Sequence, residues 1–484
     1  MRRTPLVAAA VAIALVGGCT PSHPISLPDL PTPAPATLPS GSPAPTAPAG
    51  PTDGSSTPIA DPIYPQYGNP GLDVLRYGLD LTWAPATKTL TGVADVKLRA
   101  VKDLAEVRLD FSSAYRLGGV TVDGAARTAK VSGSKLVVDA PLKAGAAATV
   151  VVRYTGTPDT VPMPSHRADV EELGLTITSE GGLWTMQEPF GAFTWYPVND
   201  QPSDKALYDI AITVPAGWSG IASGTPKGQQ GNTFRYASSV PVASYLTTLV
   251  VGKYRKETAT GPHGIPLTYW YRPGVDEDVL PALRKGSAHL AWLEERFGPY
   301  PFDTAGVVLV ASTSGMETQQ MITMGASRSD RIDGDLLHEY AHQWFGDAVT
   351  TSNWRDLWLN EGWAMYVQYL YMNERDGISM SSWERQIRLV DTDLRERAGP
   401  PGKPDPGRFA ESNVYICPAL MLHQIHKKIG DQRFFALARD WVQQHRNTAQ
   451  DRAAFIAFVN KHTGEDFTTL INTWLDSPTT PKIS

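Results

Sequence analysis

The stretch Leu336-Leu337-His338-Glu339-Tyr340-Ala341-His342-Gln343-Trp344 constrains this chain more than any other. Two histidines four positions apart on a helix stand one turn above each other on the same face. Both imidazoles can therefore bind one zinc ion from a single rigid element. Glu339 is offset around the helix, so its carboxylate can stand beside a zinc-bound water rather than bind the metal. The flanks read as helix as well. Asp333 or Asp335 can cap the start; Leu337, Ala341 and Trp344 repeat at helical spacing; Gly346 follows as a stop signal. The spacing predicts a helix over 335–345.

A buried helix that carries two histidines by chance is the competing explanation. At average composition the pattern arises in roughly one chain in a hundred of this length. The next stretch, Trp354-Arg355-Asp356-Leu357-Trp358-Leu359-Asn360-Glu361-Gly362, weighs against chance. Eighteen residues separate His342 from Glu361, which opens the next predicted helix. A zinc hydrolase needs a third protein ligand and an open fourth position for water, and Glu361 can be that ligand. H-E-x-x-H, the eighteen-residue gap and N-E-G together resemble the gluzincin metallopeptidases, in particular the aminopeptidase N family. One Zn2+ per chain on His338, His342 and Glu361 is expected. Such an ion lowers the pKa of bound water from about 16 to about 7, and Glu339 then acts as general base and proton carrier.

The chain has 484 residues, enough for two or more domains with substantial cores. A net charge of −6 gives no basic excess and argues against nucleic acid as a partner. Met1-Arg2-Arg3 precedes an apolar run, Leu6 to Val16, that is too short to span a membrane and suits a secretory signal. The run ends in Val16-Gly17-Gly18-Cys19, which resembles a bacterial lipoprotein signal with Cys19 as the lipidated residue. An extracytoplasmic, membrane-anchored protein is the expectation. The chain has two cysteines, so an acylated Cys19 leaves Cys417 without a disulfide partner.

Pro, Ser, Thr, Ala and Gly dominate from Pro21 to about Pro65, a composition that cannot bury enough surface to fold. Residues 1–18 are expected to be the signal and 19–70 a disordered tether. From Asp73 the period changes to two: Tyr77, Leu79, Leu81 and Trp83, then Ala94, Val96 and Leu98, then Val107, Leu109 and Phe111, and later Tyr208, Ile210, Ile212 and Val214. This predicts an antiparallel β domain over 71–255 with one face buried. Residues 256–484 turn mainly helical. A short strand is expected at 306–311, and helices at 360–375, 382–397, 418–429, 432–445 and 452–462, with Ser381 and Glu384 as a capping box for the second of these. The whole is an α+β multidomain chain, and the second part resembles a thermolysin-like catalytic domain.

The resemblance implies further site residues. Tyr415 stands where the family has a tyrosine that stabilises the oxyanion, although Cys417-Pro418 replaces the usual Lys-Gly pair that follows it. Pro418 fits the first turn of a helix. Ser314-Gly315-Met316-Glu317-Thr318 resembles the family's G-x-M-E-N signature and keeps Met316 and Glu317. In the family that glutamate binds the substrate's α-amine while the adjoining strand edge pairs with the peptide. Glu188, in Met186-Gln187-Glu188-Pro189, is the second carboxylate for the ammonium. The resemblance therefore implies an aminopeptidase acting on peptides with a free N-terminus. Larger relatives carry further domains around the site, so a more open site is expected here. A zinc endopeptidase, an epoxide hydrolase and a catalytically degenerate surface binding protein are the alternatives.

Overall fold

The structure, a computed structural model, describes residues 50–482 apart from 168 and 327–331. The expected signal, Cys19 and most of the expected tether lie outside the described residues. The described residues belong to the unit Ala47–Ser484.

Alternation does build the first sheets. Leu72–Ala84 and Thr89–Ala100 form a hairpin in which Tyr77, Leu79, Leu81 and Trp83 are buried while Arg76, Asp80 and Thr82 face outward. The hairpin sits inside a nine-stranded sheet that runs from Thr225–Gln230 at one edge to Ala125–Ala126 at the other. This sheet is not wholly antiparallel. Leu72–Ala84 lies parallel to Lys205–Thr213, with Leu79 opposite Ile210. Alternation identifies a buried face but not the direction of the neighbour, and the long intervening chain supplies the crossover that parallel pairing needs.

A second sheet of five strands includes Thr160–Pro162, Glu172–Ile177 and Leu183–Met186. The loop between the first two and the turn after the third both reach the cleft that holds His338 and His342. The expected boundary at 255 falls within a strand: Arg255–Thr260 pairs with Pro266–Tyr271 in a third sheet. That sheet continues through Ala305–Val310 and Ile322–Gly325 to Gly315–Met316 at its edge. Ala305–Val310 is buried along its whole length and has parallel partners on both sides, as expected of an interior strand covered on both faces.

Nine α-helices complete the described residues: α1 (Leu280–Leu283), α2 (Gly286–Phe297), α3 (Ile332–His342), α4 (Trp358–Asp376), α5 (Met380–Ala398), α6 (Asn413–Ile429), α7 (Asp431–His445), α8 (Arg452–Thr463) and α9 (Thr468–Asp476). Trp344, Trp358, Trp363 and Tyr366 are fully buried among them. The apolar cluster of the β sheets also takes in Trp354, Leu357, Phe409 and Val414 from the helical half, so the two halves share packing.

Several local expectations change. α3 ends at His342 rather than 345, and Asp333 lies within its first turn, paired to Lys285 and Arg375. The capping oxygen of α5 belongs to Ser379, which accepts from the Ser382 amide, not to Ser381. Helix α6 begins five residues before Pro418, which is therefore internal. Residues 50–70, expected in the tether, pack on the body instead. Asp61 accepts from the Trp354 amide at 2.7 Å, the Tyr64 hydroxyl donates to Pro406, and Tyr67 stacks on Phe190 with centroids 4.1 Å apart. Three anchoring side chains outweigh a composition that otherwise resists folding.

Candidate metal and substrate site

His338 and His342 come from α3, and Glu361 from the first turn of α4, which packs against it. The two Nε2 atoms lie 3.0 Å apart, and Glu361 Oε2 is 3.3 Å from His338 Nε2 and 3.2 Å from His342 Nε2. Four ligands at zinc bond lengths of about 2.0–2.1 Å in a tetrahedron stand roughly 3.3 Å from one another. The triangle therefore fits one face of that tetrahedron, and two buried imidazoles facing one carboxylate is a zinc donor set. His342 Nδ1 lies 3.1 Å from the Phe345 carbonyl, which fixes the tautomer that turns Nε2 toward the site. Gly346, with φ of 141°, makes the turn that returns the chain there; a Cβ at Gly346 would come within 3.1 Å of His342 Nδ1. Burial opposes ionisation of Glu361, but His342 and the contacts from His338 and His342 win and hold its carboxyl far below the usual range.

Asn360, beside Glu361, fixes the start of α4. Its side-chain carbonyl accepts from the Thr351 amide, and its side-chain NH2 donates to the Tyr245 hydroxyl at 2.9 Å. The glycine of N-E-G is explained by packing: a Cβ on Gly362 would meet Pro418 Cβ at 2.7 Å and Cγ at 2.8 Å. Pro418 leaves Val414 without its usual intrahelical donor, yet its ring lies directly on the ligand-bearing turn of α4.

Glu339 is buried in the wall of the same cleft, which has a volume of about 480 Å³. Burial pushes its carboxyl well above the usual range; His342 opposes the shift, and Glu317 and Glu361 add to it. Gly315 lies against it so closely that a Cβ there would stand 2.3 Å from Glu339 Oε1. Gly315→Ala must displace the carboxylate. Because a misplacement of about 1 Å can lower turnover by ~100-fold, the variant is expected to lose about that much kcat while keeping metal content and melting temperature close to the parent, measured by metal analysis and thermal denaturation.

Glu317 and Glu188 follow strands of different sheets. Glu317 follows the edge strand Gly315–Met316, and its carbonyl accepts from Gln343 Nε2 at 2.9 Å. Gln343 Oε1 accepts from the Gln320 amide at 3.0 Å, so the residue after His342 holds this loop on the metal helix. Met316, also buried, lines the cleft. Glu188 follows Leu183–Met186, where Gln187 anchors the turn by donating to the Ser244 and Thr247 carbonyls. Oxygens of Glu188, Glu317 and Glu361 fall within 4.8 Å of one another. Glu188 Oε1 and Glu317 Oε1 are each buried without a hydrogen-bond partner. Burial, then the charges of Glu317 and Glu361, push the Glu188 carboxyl well above the usual range. Met163, Val170, Leu173, Met186 and Ile416 give the remaining wall its apolar character.

Tyr415 lies in the first turn of α6, with its ring 6.1 Å from that of His338 and nearly parallel to it. Its hydroxyl is met by Arg167 at 3.1 Å. Apart from Cys19, every motif-derived site residue is thus gathered around one cleft. Arg167, Asp169 and Gln343 complete it and were not singled out from the sequence; only Gln343, adjacent to His342, carried a positional signal.

Residues 282–474 match the peptidase family M1 domain. The chain is 25% identical over 442 residues to aminopeptidase N of Streptomyces lividans, covering 84% of this chain and 50% of that protein. It is 27% identical over 231 residues to human glutamyl aminopeptidase, covering 43% and 24%. The chain thus spans about half the length, or less, of these curated relatives. Among solved structures, an M1 zinc metallopeptidase mutant from Deinococcus radiodurans bound to a Tyr-Ser-Ala substrate superposes with a TM-score of 0.79 at 28% identity, covering 88% of this chain and 99% of that one. Yeast LTA4 hydrolase shares the fold, with a TM-score of 0.70 at 20% identity over 85% of this chain and 69% of that one. Residues 282–474 thus carry a peptidase family M1 domain, and the chain as a whole is similar to the aminopeptidase N family of gluzincin metallopeptidases.

Proposed function

We propose that the protein is a zinc-dependent aminopeptidase that releases N-terminal residues from peptides. The carrying observation is the pair Glu188 and Glu317, two buried carboxylates with unpartnered oxygens beside the His338–His342–Glu361 triangle. Buried carboxylates without partners are unfavourable unless a cation joins them, and a peptide's α-ammonium is such a cation. It would set the first peptide carbonyl against the triangle.

Zinc held by His338, His342 and Glu361 would supply Lewis acidity, polarising the carbonyl and lowering the pKa of water. Glu339 accepts the proton of the attacking water and delivers it to the departing amine. A carboxyl whose pKa is raised by burial is suited to both halves of that transfer. Tyr415 donates a hydrogen bond to the carbonyl oxygen as negative charge develops there. The edge strand Gly315–Met316 can pair with the peptide backbone.

The test compares a free-amine peptide with its N-acetylated form, together with zinc analysis of the purified protein. Turnover of the free amine alone is expected. Equal cleavage of both would make the protein an endopeptidase, and zinc without turnover of either would make it a binding protein.

The cellular reading is that residues 1–18 direct export and that acylated Cys19 anchors the chain at the outer face of the cytoplasmic membrane. No helix among the described residues is long and apolar enough to cross a membrane. Cys19→Ala is expected to move the protein from the membrane to the soluble fraction, with specific activity unchanged. Wholly soluble unaltered protein with an unmodified Cys19 would remove this reading.

A further inference from the structure

Arg167 lies in the loop between Thr160–Pro162 and Glu172–Ile177, 248 residues from Tyr415 in sequence. Its side chain is 24% exposed, and every one of its five N–H groups has an acceptor. Nε donates to Asp169 Oδ1 at 2.9 Å, and one Nη2 hydrogen goes to Asp169 Oδ2. The other Nη2 hydrogen points to Ser314 Oγ at 3.4 Å. Nη1 donates to the Ala410 carbonyl at 3.2 Å and to the Tyr415 hydroxyl at 3.1 Å. Ser314 in turn donates to Asp169 Oδ2 at 2.9 Å. The guanidinium therefore joins three separate segments: its own loop, the edge-strand approach at Ser314, and the turn into α6.

A guanidinium can only donate. Toward Arg167 the Tyr415 oxygen must act as acceptor, which leaves the phenolic proton to be donated in another direction. The carboxylates of Glu361, Glu188 and Glu317 share the cleft with Tyr415. Without Arg167 the hydroxyl rotor would be free to turn away from the cleft. The full set of donors also argues against a second role, since no N–H of Arg167 is left to receive a peptide carboxylate.

We propose that Arg167 is a positioning residue for the oxyanion donor: held side-on by Asp169 and Ser314, its guanidinium fixes the Tyr415 hydroxyl as an acceptor and directs the phenolic proton into the cleft. The inference rests on the aminopeptidase reading. The positive charge behind the phenol also favours the negative charge that Tyr415 shares when it donates to an oxyanion.

The experiment is a double-mutant cycle on the full chain with its metal bound, using Arg167→Ala, Tyr415→Phe and the two combined. Single oxyanion donors are worth ~100- to 1000-fold in kcat. Arg167→Ala is expected to lower kcat by at least about 10-fold with KM within about 3-fold, and to add less than about 2-fold once Tyr415 is already phenylalanine. Affinity for a phosphinic dipeptide analogue, whose tetrahedral oxygen mimics the oxyanion, is expected to fall in the same non-additive way by calorimetry. Arg167→Lys keeps the charge but has three donors for five acceptor atoms and no planar fork, and Ser314→Gly removes one acceptor of Arg167 and the hydrogen bond that holds Asp169; both are expected to give intermediate losses, and they stand in if Arg167→Ala does not fold. Additive losses in kcat, or a rise in KM confined to peptides with a free C-terminal carboxylate, overturn the inference while leaving the aminopeptidase reading intact. An unaltered protein that turns over no free-amine peptide fails that reading first, and is recognised by that result alone.

Discussion

Glu339→Ala will leave a protein that folds, holds its metal and does not turn over. Glu339 is offset from the ligand face of α3 and contributes no atom to the His338–His342–Glu361 triangle. Its removal takes away the group that receives and returns the proton, a contribution of roughly 100- to 10,000-fold. Zinc analysis, thermal denaturation and kcat on a free-amine peptide make the check together. Residual kcat within about 10-fold of the parent would remove Glu339 as the proton carrier. Loss of metal in this variant would instead make it a ligand.

The second large effect concerns Glu317. Its unpartnered Oε1 and that of Glu188 define where an ammonium would sit. Breaking a buried charge pair by removing one partner costs about 2–5 kcal/mol, roughly 30- to 4000-fold in kcat/KM. Glu317→Ala is therefore expected to raise KM strongly, and to lower kcat as well where the anchor sets the carbonyl's position. Metal content should not change. The discriminating measurement is the ratio of rates on free and acetylated peptide: the unaltered enzyme's preference should collapse in the variant. A preference that survives would move the amine anchor away from Glu317. Glu188 would be its natural replacement, because its carboxylate lines the same cleft within 4.8 Å of Glu317.

Much of this site could be read from the chain because its geometry is local. A four-residue separation on a helix determines that His338 and His342 share a face, and a carboxylate opening the next helix stays near them for any short connection. Glu317 was legible through its immediate neighbours. Arg167 was not, because it carries no motif and reaches Tyr415 only through the packing of two distant loops. Pro418 misled for a physical reason: proline favours first turns, and only the Gly362 contact explains its place inside α6. The parallel pairing of Leu72–Ala84 was hidden because alternation carries no direction. Residues 50–70 were hidden because a few aromatic and acidic anchors outweigh their average composition.

The contact between Gly362 and Pro418 also couples two positions as the chain changes over generations. A side chain at 362 is excluded while the ring is present, and loss of the ring opens a void against the turn that carries Glu361. Substitutions at either position are therefore expected to be epistatic. A methyl group at 362 becomes tolerable only after 418 has shrunk, and a smaller residue at 418 is best accommodated once 362 has grown. A double-mutant cycle of Gly362→Ala and Pro418→Ala, read by thermal denaturation and metal content, is expected to be non-additive, with the pair costing less than the sum of the two.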